Sequence, residues 1–124
     1  MLANARIGSF VASADVTRAR EFYENVLGLE FVREEPYALV FNSNGTTLRI
    51  QKVSEVVVAP YTAIGWHVND ISSVVSGLKE RGVEFIFIEG FGQDELGIVT
   101  FPGGAKVAWF KDPDGNTLSL DEFA

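Results

Sequence analysis

His67 is the only histidine among the 124 residues, and its imidazole is the one side chain here whose ordinary pKa lies near neutral pH. It could move a proton as a general acid or base, or it could simply donate a hydrogen bond to a ligand. The alternative is a hydrogen-bonded histidine at a strand end beside Asn69 and Asp70. Arg49 offers a forked set of donors suited to a carboxylate or phosphate. Its alternative is a surface arginine paired with one of the many acids, an arrangement of small energetic consequence. Glu34-Glu35 and Asp94-Glu95 are adjacent acids. Neighbours on a strand face opposite ways, so neither pair makes a good acid–base couple. There is no cysteine, which removes thiol chemistry, disulfides and thiolate metal sites. No phosphate-cradling glycine loop and no Gly-x-Ser-x-Gly elbow is present.

These residues are positioned by elements that the pattern predicts. Arg6 to Ala14 reads as a strand, and Asp15 caps a helix on which Val16, Ala19, Phe22, Tyr23, Val26 and Leu27 form one apolar stripe before a stop at Gly28. Strands follow at Leu29 to Glu35, Tyr37 to Asn42 and Thr46 to Lys52, with turns at Pro36 and Asn44-Gly45. A second series gives a strand from Tyr61 to Asn69, a cap at Asp70, and a helix carrying Ile71, Val74, Val75 and Leu78 to a stop at Gly82. Strands are expected at Glu84 to Glu89, Val107 to Lys111 and Asn116 to Asp121, the last two joined by Asp112-Pro113-Asp114-Gly115. The Gly-rich stretch from Gly90 to Gly104 reads as a mobile loop with a short strand, of the kind that closes over ligand sites. Ser54 to Pro60 is a short apolar linker, expected to stay packed.

Alternation sorts the strand residues. Ile64, Trp66 and Val68 are expected under the helix, turning Ala63, Gly65 and His67 the other way. Leu48 and Ile50 point to the core, leaving Thr47, Arg49 and Gln51 on the opposite face, matched on the last strand by Thr117, Ser119 and Asp121. Of Trp109 and Phe110, one is core and the other is not. Phe10, Tyr37, Leu39 and Phe41 are available to build an apolar wall, although filling the core is the plainer use of aromatics. Phe22 and Tyr23 are read as core.

Length and a hydrophobic content of 47% suit one domain, residues 1–124. A net charge of −7 with scattered Lys and Arg argues against nucleic acid as a partner. No apolar window approaches the length of a membrane span, and the absence of cysteine favours the cytoplasm.

The two series are copies of one another. Asp15 to Phe31-Val32 repeats as Asp70 to Phe85-Ile86 at an offset of 55 residues (Asp15 to Asp70), and Asn44-Gly45-Thr46-Thr47-Leu48 repeats as Asp114-Gly115-Asn116-Thr117-Leu118 at 70 (Asn44 to Asp114). The later copy therefore carries an insertion. With Asp15, Phe22-Tyr23, Leu27-Gly28 and Trp109-Phe110-Lys111-Asp112-Pro113-Asp114-Gly115-Asn116, this doubled frame resembles the vicinal oxygen chelate superfamily, which includes glyoxalase I, extradiol dioxygenases and the bleomycin- and fosfomycin-resistance proteins. The resemblance implies an α+β fold of two β-α-β-β-β modules, 6–53 and 61–121 with the linker at 54–60, curled into a half-open barrel around a cavity. It also implies a homodimer.

Metal-binding relatives hold a divalent ion with four His, Gln or Glu side chains. The resemblance places those positions at Gly8, Arg49, Ala63 and Ser119, none of which supplies the expected ligand, and a slip of one residue either way brings in no better set. The expectation is a protein without metal or cofactor. Arg49 then stands where relatives place an acid, and an aromatic faces the site at the place of Trp109 in fosfomycin-resistance relatives. The implied function is binding of a small, partly hydrophobic molecule with an anionic end, lined by Arg49, Trp109, Ser119, Phe10, Thr47, Gln51 and Tyr37. The alternative is a metal-independent lyase or isomerase using His67 and Arg49. A structural or regulatory partner domain is a third class, which no residue recommends.

Overall fold

Both helices start where an aspartate can satisfy their free amides. In a computed structural model describing residues 1–124, Asp15 accepts from the Arg18 amide at 3.2 Å and Asp70 from the Ser73 amide at 3.2 Å, with the Ser73 hydroxyl adding a 2.8 Å bond to Asp70. These Ser73 contacts, hydroxyl first, hold the Asp70 carboxyl below the usual carboxylate range. The chain divides into two compact units, Met1–Val57 and Val58–Ala124.

In the first unit β1 (Gly8–Ser13), α1 (Val16–Arg20), β2 (Glu30–Glu35), β3 (Ala38–Ser43) and β4 (Thr46–Lys52) follow in order. The sheet runs β1-β4-β3-β2, with β1 parallel to β4 and the other pairs antiparallel. Asn44 and Gly45, both at positive φ, form the two-residue turn between β3 and β4. The apolar stripe holds, with Ala19 and Tyr23 buried, but the expected single α-helix changes character. From Glu21 to Val26 it widens into π geometry, the Leu27 amide bonding to the Phe22 carbonyl at 2.9 Å, although no Pro or Gly lies between Val16 and Leu27 to mark the change. Tyr23 packs on Phe41 with ring centroids 6.1 Å apart, and Phe31 meets Phe41 edge-on at 5.5 Å. Leu39 and Phe41 are thus both buried and add no wall to the opposite face, a correction that follows from strand alternation, which turns them to the side where Phe41 joins this aromatic cluster.

The second unit contains β5 (Ile64–His67), α2 (Ile71–Glu80), β6 (Val99–Thr100), β7 (Lys106–Lys111) and β8 (Thr117–Glu122) in a sheet ordered β5-β8-β7-β6. Ala108 and Phe110 of β7 and Leu118 and Leu120 of β8 are buried on the face that takes Ile71 and Val75 of α2. The strand expected from Tyr61 begins only at Ile64. The strand expected at Glu84 to Glu89 does not form. Only a bridge of Phe85 to Phe110 and one bond from the Ile86 amide to the Trp109 carbonyl at 2.8 Å tie it to β7. The cause is Gln93, whose amide donates to the Ile86 carbonyl at 2.8 Å and accepts from the Ile88 amide at 2.6 Å, taking up groups that a ladder would use. The short β6 fills the remaining edge, pairing Val99 with Val107 and Thr100 with Lys106. The architecture is α+β, with two four-stranded mixed sheets. No helix is long and apolar enough to cross a membrane.

The turn joining β7 to β8 is organised by one carboxylate. Asp112 is 6% exposed and accepts from the amides of Asp114 and Asn116 at 3.0 and 2.9 Å and from the Asn116 side chain at 2.9 Å. Gly115, at φ 89°, supplies the left-handed step. Because these bonds set which β7 residue faces which β8 residue, Asp112→Ala is expected to cost about 2–4 kcal/mol. Urea unfolding measures it, and a loss well under 1 kcal/mol would mean that the turn stands without the carboxylate.

Candidate functional site

On the first sheet the face away from the helix carries Phe10, Arg49 and Val40 in one row, with Thr47 and Gln51 on either side along β4. Phe10 is exposed and Arg49 half-buried. The Arg49 Nε lies 3.4 Å from one oxygen of Glu35, whose other oxygen is 2.9 Å from Arg33. The Arg33 hydrogen bond, opposed by partial desolvation and helped by Arg49, holds the Glu35 carboxyl below its ordinary range, and Lys52 does the same to Glu34. A ligand acid at Arg49 would share the guanidinium with Glu35. Tyr37 lies in the turn between β2 and β3 and is 82% exposed.

The second sheet arranges its outer face in three rows. His67 of β5 stands beside Asp121 of β8 and Val107 of β7; Gly65 stands beside Ser119 and Trp109; Thr117 stands beside Lys111 at the turn end. His67 Nδ1 is 2.9 Å from Asp121 Oδ1, and the imidazole stacks on Phe123 with centroids 3.9 Å apart. Ser119 is 7% exposed, and a Cβ at position 65 would come within 2.7 Å of its hydroxyl. Gly65 is therefore what makes room for Ser119.

Beyond Ser119 the face opens into a depression of about 500 Å³. Trp109, Lys111 and Thr117 form its strand floor, Val58 to Thr62 one rim, and Ile86, Ile88 and Phe91 the other. His67 and Ser119 do not line it. Phe91 meets Trp109 edge-on, centroids 5.6 Å apart. Phe110 lies in the core with Phe85. In the linker Val57 is exposed, whereas Val58 packs near Gly115. Once the resemblance picks Trp109 over Phe110, alternation also points to Lys111, two residues on. Phe91 and the linker rim have no such local signal.

The loop that carries Phe91, expected to be mobile, contains its own side-chain to backbone hydrogen bonds. Besides its bonds to Ile86 and Ile88, Gln93 donates to the Gly97 carbonyl at 2.8 Å. Asp94 accepts from the Leu96 and Ile98 amides at 2.9 Å each. A divalent metal does not fit this chain's side chains. No group of three or more His, Cys, Asp or Glu converges to hold one, and Gly8 and Ala63 offer no donor. Gln93→Ala should lower stability by about 1–3 kcal/mol and speed hydrogen exchange at the Ile88 amide before global unfolding. Unchanged exchange there would show that the loop is held by other contacts.

A profile of the Glyoxalase/Bleomycin resistance protein/Dioxygenase superfamily matches residues 6–120. Among solved structures, a member of that superfamily from Sphaerobacter thermophilus DSM 20745 is 25% identical, with a TM-score of 0.76 over 98% of this chain and 99% of that one. A glyoxalase family protein from Enterococcus faecalis is 23% identical, with a TM-score of 0.74 over 98% and 100%. Lactoylglutathione lyase from Agrobacterium tumefaciens is 16% identical, with a TM-score of 0.73 over 96% and 93%. No curated protein matches the chain.

Proposed function

Because the chain belongs to the glyoxalase/bleomycin resistance protein/dioxygenase superfamily, we propose that it binds a small, partly hydrophobic molecule with an anionic end, without a metal, in the depression of its second module. The observation that carries this reading is the depression itself, with an apolar and aromatic wall and few polar groups, a composition typical of ligand sites. The loss of donors at Gly8 and Ala63 supports binding without a metal. The reading treats residues 1–124 as one functional domain, 6–53 and 61–121 being its modules. It includes a cytoplasmic location, supported by the absence of cysteine, and a homodimer, supported by the family resemblance alone. Titration of small aromatic and aliphatic acids, followed by Trp109 fluorescence in a Trp66→Phe background, should give saturable quenching. Trp109→Ala, read by thermal shift, should weaken the same compounds about tenfold. Compounds that stabilise the wild type and Trp109→Ala equally would place binding elsewhere.

One observation favours the second reading, a lyase or isomerase. His67 Nδ1 lies 2.9 Å from Asp121 Oδ1, and in the neutral tautomer that carries its proton on Nδ1 this bond orients the ring with Nε2 as proton acceptor, the usual arrangement of a general base. On this reading His67→Ala abolishes solvent proton exchange at a substrate carbon, and exchange that persists removes the role.

A further inference from the structure

Within that binding reading, and resting on it, we infer that the depression selects a planar aromatic monocarboxylate whose anionic end is held by Lys111, not Arg49. Every other cation on a strand already has an acid: Arg33 and Arg49 share Glu35, Lys52 has Glu34 at 2.6 Å, and Lys106 has Glu122 at 3.9 Å. The exposed Lys111 side chain takes part in none of these ion pairs. It is also the one charged residue lining the depression, which contains no Asp or Glu. An anion meets no resident acid there, whereas at Arg49 it would share the cation with Glu35.

The neighbours narrow the chemistry further. Thr117 is the cross-strand partner of Lys111, so a hydroxyl-bearing and an ammonium-bearing side chain leave adjacent positions on one face, a pair of donors suited to the two oxygens of one carboxylate. A single cation balances a single negative charge, which disfavours phosphate and dicarboxylates. Trp109, two residues before Lys111 on the same face, presents an aromatic surface for a ring, and Phe91 closes the edge of that surface. Ile88 and Pro60 supply apolar walls on opposite rims. Charge at one end and rings along the body match an aryl acid of one or two rings.

Calorimetric titration with naphthoate, its uncharged isostere naphthamide, and cyclohexanecarboxylate tests the assignment. Wild type should bind naphthoate about tenfold more tightly than naphthamide, and cyclohexanecarboxylate more weakly than naphthoate. Lys111→Gln should bring naphthoate and naphthamide to one affinity, Lys111→Arg should keep the preference, and Arg49→Gln should leave it untouched. An acid preference that survives Lys111→Gln, or disappears in Arg49→Gln, overturns the assignment. Naphthamide bound as tightly as naphthoate by the wild type overturns it as well, while leaving the binding reading intact. Failure of all three probes to bind, with the fold verified by its melting transition, rejects both readings together.

Discussion

One buried carboxylate organises the second module. Asp112 spends its acceptors on two backbone amides and one side-chain amide of the four residues that follow it, which is how a buried charge is tolerated away from water. What depends on this is register. With the turn closed, Trp109 faces Ser119, Lys111 faces Thr117, and Phe110 enters the core beside Leu118. A slip of one residue would exchange the two faces of β7, sending Phe110 to solvent and both Trp109 and Lys111 into the core.

The two modules follow one template and then part company at a single edge. In the first, β2 completes the sheet along β3, and its acids Glu34 and Glu35 neutralise the cations of β4. In the second, the equivalent segment is drawn off β7 by Gln93, and β6, only two residues long, takes up what remains of the edge. The segment that leaves the ladder carries Ile86 and Ile88 to the rim of the depression. It also brings no acid onto the outer face beside Lys111. The same departure thus accounts for both the hollow and the unpaired cation.

Much of this was legible in the residues. Asp15 and Asp70 announce their helices because capping is a local interaction, and the alternation of Leu48, Arg49 and Ile50 assigns faces because a strand has a period of two. The Asn-Gly turn and the repeat itself are equally local signals. The missed features are those decided by partners distant in pattern, though not always in sequence. Glu84 to Glu89 has the composition of a strand, and nothing in it reveals that a glutamine side chain will claim its backbone. Leu39 and Phe41 looked free to line a wall until Tyr23 and Phe31 took Phe41 into the core. Arg49 stood out by its position, but the acid paired with it lies 14 residues away at the end of β2, with β3 between the two strands. Lys111 carried the required signal, alternation with Trp109, and was overshadowed by the motif in which it sits.

Gly65 and Ser119 divide the outer face of the second sheet more sharply than distance alone would. With no side chain at 65, where a Cβ would come within 2.7 Å of the Ser119 hydroxyl, the middle row of Gly65, Ser119 and Trp109 carries no ionisable group. On one side lies a solvated imidazole–carboxylate pair, on the other an aromatic hollow with a lone ammonium. The two sides draw on different residues, so one sheet could acquire, lose or exchange either capability without rebuilding its neighbour.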